Sequence, residues 1–189
     1  MSGVNKFEVN ELVLEKGNIL LKRPDMKYLE DFYEYAKTED VGPKAGWNPH
    51  KSIDESKRIL EMFINNKNVF IIVDKEKDKM IGTMGIEAPR HEMDEAHKKL
   101  KGYEIGYALN KAYWGKSIVP TAAELVSDYL FTELDADYII LNISDKNINS
   151  RRVAEKMKFN VLYHHIGENY RGEDEDFTIY ILYNNKRKK

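Results

Sequence analysis

A strand that runs through a turn directly into a helix occupies residues 103 to 126, with the sequence YEIGYALNKAYWGKSIVPTAAELV. Pro120 marks the predicted helix start, because proline presets φ for the first helical turn and lacks an N–H that would have no partner there. The amides from Gly115 to Val119, with those of Thr121 and Ala122, would then face an anion at the positive end of the helix dipole. The segment therefore predicts a phosphate cradle.

The length and composition of the chain indicate one compact domain. With 189 residues, of which 42% are hydrophobic, the chain can bury one sizeable core but not two. We therefore expect a single domain over residues 1 to 189. Its basic end, Lys186 to Lys189, is better explained as a flexible, solvated tail than as a binding patch.

The charge balance and the residue types that are missing exclude several classes of protein. Thirty basic residues against 32 acidic ones leave a net charge of −2, which predicts no direct binding of nucleic acid or of an anionic membrane. The absence of cysteine excludes disulfides, thiolate metal sites and a cysteine nucleophile, and the five histidines lack metal-ligand spacing. Since no apolar signal core or run of about 20 apolar residues occurs, we expect a cytoplasmic protein.

The hydrophobic periodicity predicts alternating strands and helices, with no internal repeat. Strands are predicted at residues 11–15, 19–23, 69–73, 80–86, 103–109, 138–143, 159–166 and 176–182. Helices are predicted at residues 26–36, from Ser52 to about residue 64, at 120–134 and at 149–157. The charged segment 89–102 is predicted to be a loop or a short helix. Mostly antiparallel hairpins with helices between them favour an α/β sandwich with a mixed sheet.

Two blocks of sequence carry a resemblance to a known family. The turn reads WGKSIV from Trp114 to Val119, and a later block starts Asn147-x-x-Ser150 and ends EKMKF. Together they resemble the acetyl-CoA-binding core of the GCN5-related N-acetyltransferase (GNAT) superfamily, above all the branch that contains the ribosomal-protein N-terminal acetyltransferases. In that family the turn reads Gln or Arg, two residues, Gly, one residue, then Gly or Ala, and nearer relatives often begin it with Trp. Ser117 and Val119 therefore replace two small residues of the cradle.

The resemblance implies a single-domain α/β fold with a mixed, mostly antiparallel sheet, helices on both faces and a splayed central strand pair that admits acetyl-CoA as co-substrate. No metal is expected either, since the histidines lack metal-ligand spacing. A backbone N–H near Leu109 would stabilise the oxyanion. Asn147 would contact the pantetheine arm, although a turn residue or helix cap explains it equally well. The cofactor-binding residues implied in this way are Ala108, Leu109, Gly115, Lys116, Ser117, Ile118, Val119, Thr121 and Asn147.

Two side chains are candidates for proton transfer. By resemblance Ser150 would be the general acid to the departing thiolate, since Ala154 stands where many family members have tyrosine. The alternative is an ordinary serine in the first turn of a helix. Glu104 is the candidate base, because strand alternation puts it on one face with the small residues Gly106 and Ala108. Its alternative is the exposed start of a strand.

The acceptor side is predicted from two loops. Trp47 and His50 follow the first helix and would contact an amine-bearing substrate; alternatively, Trp47 anchors the loop on the core and His50 is solvated. The acidic loop 167–176 would attract a cationic acceptor, or is simply a solvated hairpin tip.

We therefore expect an acetyl-CoA-dependent N-acetyltransferase that transfers an acetyl group directly to a primary amine, such as a protein N-terminal amine, in a ternary complex. The alternatives are a small-molecule amine acetyltransferase, for a polyamine or an antibiotic, and a non-catalytic acyl-CoA-binding or regulatory domain. Nineteen tyrosines and phenylalanines and two tryptophans also provide material for a homodimer face.

Overall fold

The computed structural model describes residues 7–91 and 93–185, so the predicted tail Lys186 to Lys189 lies outside the described residues. One sheet has the strand order β1-β2-β3-β4-β5-β6-β8-β7. The strands are β1 Leu14–Lys16, β2 Ile19–Lys22, β3 Val69–Asp74, β4 Lys79–Glu87, β5 Gly102–Leu109, β6 Tyr138–Ser144, β7 Asn160–Glu168 and β8 Asp174–Tyr183. The α-helices are α1 Leu29–Ala36, α2 Gly42–Ala45, α3 Ile53–Asn66, α4 Ile118–Thr132 and α5 Ile148–Lys156. Short 3-10 turns occur at Met26–Tyr28, His97–Lys99 and Lys111–Tyr113.

The predicted eight strands and four helices are confirmed, and the differences lie in their ends and in one extra helix. The four-residue α2 was not predicted, because its sequence, GPKA, is too short and too rich in Gly and Pro to show a helical period. The segment before β5 is a loop with one 3-10 turn. Helix α4 starts at Ile118 rather than at Pro120, so the proline lies inside its first turn.

The sheet buries both of its faces, and strand β3 shows how. Phe70 and Ile72 belong to the core cluster that contains α4, while Ile71 and Val73 belong to the cluster that contains α1. Because successive side chains of a strand point to opposite faces, α4 and α5 cover one face and α1 and α3 the other. A strand buried on both faces is apolar along its length, which is what the sequence VFIIVD shows.

The centre of the sheet is splayed, as the resemblance implied. Strand β5 pairs in parallel with β6 only over residues 102–104 against 138–140. Beyond that point β6 stays paired with β8 as far as Ser144, whereas β5 stays paired with β4 as far as Leu109. The two central strands therefore diverge and leave a cleft between their carboxyl ends, in the one α/β domain with a mixed, mostly antiparallel sheet that the sequence predicted.

Candidate active site

The turn between β5 and α4 presents a row of free backbone amides. The N–H groups of residues 115 to 119 donate to no backbone carbonyl in the described part of the chain. The prediction for Thr121 is wrong, since its N–H and its hydroxyl donate to the carbonyl of Ser117 at 3.0 and 2.9 Å. The reason is the early start of α4, which uses the Thr121 amide for a helical bond and takes Ala122 into the core. The cradle is thus confined to the residues before Pro120.

Ser117 adopts the backbone conformation that the family's glycine would favour. Its φ is +57°, in the left-handed region, and its hydroxyl accepts a hydrogen bond from Lys156 Nζ at 2.7 Å. Gly115 has φ +75°, and a Cβ there would point into open space of the cleft. Val119 is 7% exposed and packs with the α4 side of the core. Of the two departures from the family pattern, Ser117 therefore adds a polar group to the cradle, whereas the Val119 side chain packs in the core.

A cavity of about 380 Å³, called here the first cavity, lies beside this turn. The structure brings most of the predicted cofactor-binding residues together on its wall: Ala108, Leu109, Gly115, Lys116, Ser117, Ile118, Val119 and Asn147. Four cationic side chains also line it, namely Lys44, Lys116, Arg152 and Lys156. No Asp or Glu is among its lining residues. The first cavity therefore combines free amides, a helix N-terminus and uncompensated positive charge, which together suit a phosphorylated ligand.

Trp114 fixes the turn against the end of β5. Its indole Nε1 donates to the carbonyl of Leu109 at 2.8 Å, and Lys44 Nζ lies 4.5 Å from its ring centre. The N–H of Asn110, the residue after Leu109, donates to the carbonyl of Ile81 of β4 at 2.8 Å. Because neighbouring peptide groups alternate in direction along a strand, the N–H of Leu109 points away from β4 and toward the cleft. This is the direction expected for an oxyanion donor.

Asn147 caps α5 and at the same time joins it to α2. Its Oδ1 accepts from the N–H of Ser150 at 3.2 Å, and its Nδ2 donates to the carbonyl of Lys44 at 3.0 Å. The interpretation as a helix cap is confirmed. The contact with a pantetheine arm stays a prediction, and it would require the bond from Asn147 to Lys44 to open or to be shared.

A second cavity, of about 510 Å³, opens on the other side of the hydrogen bond from Asn147 to Lys44. Five residues line both cavities: Lys44, Ala45, Tyr107, Asn147 and Ser150. The two cavities therefore meet at the first turn of α5. A reaction between a ligand in one cavity and a ligand in the other would take place beside Ser150.

Glu104 lies on the wall of the second cavity with its side chain only 13% exposed, so the alternative of an exposed strand end is wrong. Its carboxylate accepts from the N–H of Arg90 at 3.1 Å and lies 3.6 Å from His91 Nε2. Burial acts to raise the pKa of Glu104, but the interactions with His91 and with the Arg90 amide outweigh it and lower the pKa below its usual value. Glu104 is therefore a carboxylate at neutral pH.

No pattern in the sequence points to His91, the partner of Glu104. It belongs to the β4–β5 loop, where neither periodicity nor spacing links it to β5. Its ring centre lies 5.1 Å from that of His165 on β7, and His165 Nε2 is 3.1 Å from Asn142 Oδ1 on β6. Imidazole and carboxylate groups are thus clustered on the wall of the second cavity, beside Glu104.

The predicted acidic loop contributes to the second cavity through Glu168 and Glu175. Glu175 is held by the hydroxyl of Ser144 and by Lys146 Nζ at 2.9 Å, and these bonds lower its pKa. Its charge is therefore already balanced. Glu168 lines the same wall at the end of β7.

Trp47 and His50 lie outside both cavities, which is a correction to their predicted place at the acceptor entrance. His50 is 6% exposed, so the alternative of a solvated side chain is also wrong. Its Nδ1 lies 2.7 Å from the hydroxyl of Ser56, and burial lowers its pKa. Trp47 packs over Gly42, where a Cβ would approach its ring to 2.6 Å. These residues anchor the loop, and the cavities use its other residues, including Val41 and Lys44.

Two further observations concern metals and membranes. Within residues 7–91 and 93–185, no three His, Asp or Glu side chains come together as a group able to hold a metal ion. In the same part of the chain, no helix has the length and apolar character needed to cross a bilayer.

Comparison with known proteins gives the family. The model of the acetyltransferase (GNAT) domain matches residues 18–160. The chain is 36% identical over 149 residues to the probable N-acetyltransferase YjcK of Bacillus subtilis (strain 168), covering 79% of this chain and 76% of that protein. The chain thus belongs to the GNAT acetyltransferase family, and it is an N-acetyltransferase.

Solved structures show the same fold at low identity. The ribosomal-protein-S5-alanine acetyltransferase of Vibrio fischeri superposes with a TM-score of 0.72 at 19% identity, over 94% of this chain and 100% of that one. The spermidine N-acetyltransferase of Vibrio cholerae, solved with CoA and spermine, superposes with a TM-score of 0.72 at 18% identity, over 90% of this chain and 98% of that one. At these identities the likeness concerns the fold alone.

Proposed function

We propose that acetyl-CoA is the acetyl donor and that it occupies the first cavity. The observation that carries this proposal is the joint presence, on a wall that contains no Asp or Glu, of four cations and of the amides of residues 115 to 119, which donate to no backbone carbonyl in the described part of the chain. A pyrophosphate is the group that such a turn is suited to hold. Arg152 and Lys156, on one face of α5, would add charge–charge contacts to the phosphates.

The residues at the junction of the cavities have complementary roles in the proposed reaction. Acetyl-CoA supplies the activated thioester. Glu104, with His91 behind it, accepts the proton that the acceptor ammonium must lose before its nitrogen can attack. The N–H of Leu109 stabilises the oxyanion. Ser150 donates a hydrogen bond to the sulfur as the C–S bond breaks, and direct transfer needs no covalent enzyme intermediate because the two cavities meet there.

The acceptor is, in this proposal, a primary amine that enters through the second cavity. A protein amino terminus is the first candidate, which would also assign the chain to the ribosomal-protein branch of the family. A polyamine is the second candidate, favoured by the carboxylates of Glu104 and Glu168 on the cavity wall. The names of the two Vibrio enzymes, which differ in the same way, support testing both.

Calorimetry with acetyl-CoA, followed by a thiol-release assay, tests the proposal. We expect saturable binding and amine-dependent release of CoA. The acceptor panel contains a peptide with an N-terminal alanine, spermidine, and the N-acetylated form of each as matched control. Release with the peptide but not with its acetylated form would identify a protein amino-terminal enzyme. Absence of acetyl-CoA binding would contradict the assignment of the first cavity, and binding without release on the panel would contradict both acceptor candidates.

A further inference from the structure

Tyr107 is a cavity residue with a buried hydroxyl group that is not otherwise used. It lies on β5, and its ring packs against the core cluster that contains α4. It lines both cavities, as Ser150 does. Its hydroxyl oxygen is buried and has no partner in hydrogen-bonding geometry among the described residues. A buried polar group without a partner destabilises a fold, so a tyrosine kept here calls for an explanation.

Two other buried hydroxyls in the described part of the chain share this condition, those of Tyr35 and Ser127. Neither residue lines the first or the second cavity. Tyr107 differs because its hydroxyl lies where both ligands of the proposed reaction would meet. Of the five residues common to the two cavities, Tyr107 and Ser150 are the two that carry a hydroxyl group.

Ser150 is a neighbour of Tyr107, since both residues line both cavities and Ser150 influences the pKa of the Tyr107 hydroxyl. The main chain of Ser150 is fixed by the cap from Asn147. Its hydroxyl proton can turn about the Cβ–Oγ bond. A serine hydroxyl can donate one hydrogen bond while it accepts another. A donor behind Ser150 would therefore direct the serine proton toward whatever lies in front of it.

We propose that Tyr107 is a positioning residue for the departing sulfur: when the donor is bound, its O–H donates to Ser150 Oγ and thereby directs the Ser150 O–H at the sulfur. The inference rests on the proposed function. As the amine nitrogen forms its bond to the acetyl carbon, the C–S bond breaks and its electron pair goes to sulfur. The two hydroxyls stabilise the thiolate through hydrogen bonds and keep their own protons. Before the attack, the ammonium loses its first proton through Glu104 to solvent. As the bond forms, the nitrogen loses a second proton to Glu104, and solvent returns one to the thiolate.

The protonation state of Tyr107 suits this role. Burial raises the pKa of Tyr107 to about 12, although the neighbouring Ser150 acts in the opposite direction. The phenol therefore keeps its proton at neutral pH and remains a donor. The other titratable side chains that line the two cavities are Lys44, Arg90, His91, Glu104, Tyr113, Lys116, Arg152, Lys156, His165, Glu168, Tyr170 and Glu175.

The Tyr107→Phe variant tests the inference, with Tyr35→Phe as a matched control that also removes a buried, unpaired tyrosine hydroxyl. For Tyr107→Phe we expect kcat to fall roughly tenfold or more, as for loss of a hydrogen bond to a developing charge. Its melting temperature should be unchanged or higher, because an unsatisfied polar group is removed. Tyr35→Phe should show the same stability effect with the parent kcat.

Ligand binding gives a readout that does not depend on turnover. With the parent protein, at a pH where the thiol of CoA is partly ionised, CoA should bind more tightly than desulfo-CoA. This preference should shrink in Tyr107→Phe and in Ser150→Ala, while the affinity for desulfo-CoA stays within about twofold of the parent, because the phosphate contacts are untouched. Tyr107→Phe added to Ser150→Ala should cost little more than Ser150→Ala alone.

A parent kcat in Tyr107→Phe, or losses that multiply in the double variant, would overturn the inference. An equal loss of affinity for CoA and desulfo-CoA would also overturn it, since the tyrosine would then act on the whole cofactor site. These failures differ from failure of the proposed function, in which the parent protein itself would not bind acetyl-CoA or release thiol.

Discussion

The first and second cavities meet at Ser150 but are built in different ways. The first is a strand–turn–helix unit plus one face of α5, and the polar groups on its otherwise apolar wall include backbone N–H groups and cationic side chains. The second is assembled from side chains of the β4–β5 loop, β5, β6 and β7, with carboxylates and imidazoles among them. Backbone N–H groups at a turn can bind a ligand after a side chain there is replaced, whereas a site formed by side chains changes its ligand preference with each replacement. We therefore expect donor binding to be robust and acceptor choice to be the property that varies.

The sharpest test of this division is Glu104→Gln. The change keeps the shape of the side chain but removes the base, so we expect kcat/KM to fall by about 10²-fold or more. The affinity for acetyl-CoA, measured by calorimetry, should stay at the parent value. Glu61→Gln, at an exposed position of α3, is the control and should leave both quantities unchanged. A weaker affinity for acetyl-CoA in Glu104→Gln would show that the cavities are not separable.

The pH dependence of kcat/KM gives the next largest effect. The pKa of Glu104 is lowered, so its carboxylate is already ionised over the neutral range and loses its charge only at acidic pH. The acidic limb should therefore report deprotonation of the acceptor amine, with a loss of about tenfold per pH unit below its pKa. Two acceptors whose amines differ in pKa should shift the inflection accordingly. One common inflection near neutral pH for both would point to an enzyme group instead.

Removal of single cations from the first cavity should have a smaller effect. Arg152→Ala and Lys156→Ala should each weaken acetyl-CoA binding up to about fivefold, as expected for exposed charge pairs, and less so at high salt. Lys57→Ala, exposed on α3, is the matched loss of charge elsewhere. Once acetyl-CoA is saturating, KM for the acceptor should not change. A changed acceptor KM would mean that these cations also serve the second cavity.

The smallest effect concerns two residues in left-handed conformation, Ser117 with φ +57° and Lys158 with φ +61°. Replacing either with glycine relieves a strain of about 1–2 kcal/mol, offset in part by the freedom glycine gains in the unfolded chain. Thermal unfolding should show a modest stabilisation for both. Only Ser117→Gly should also weaken acetyl-CoA binding, since Lys156 loses its anchor. Equal affinities in the two variants would leave Ser117 without a role in the cradle.

The sequence predicted the first cavity better than the second for a physical reason. A turn followed by a helix start is local in sequence, so Gly115 and Asn147 could be recognised from a few neighbours. The error at Thr121 arose within one helical turn, where Pro120 can occupy more than one position. His91 and Tyr107 could not be recognised, because what makes them notable is the meeting of strands and loops that are distant in sequence.

The fold was predictable for a related reason. The buried strand β3 is apolar throughout, and the helices α1 and α3 show a clear three-and-four spacing. Helix α2 has neither signal, yet it supplies Lys44 and Ala45 to both cavities. Trp47 and His50 are conspicuous in the sequence of this loop, yet they line neither cavity. The structure instead uses them to hold α2 against the core.

The hydrogen bond from Asn147 to the carbonyl of Lys44 has a thermodynamic consequence. If bound acetyl-CoA accepts the hydrogen bond from the Asn147 side-chain amide, α2 loses its hydrogen bond to α5. Helix α2 is also part of the wall around the acceptor. The free energy of seating one substrate then depends on whether the other is present, and linkage requires the dependence to be equal in both directions. An enzyme of this build would bind its two substrates interdependently, through a single amide.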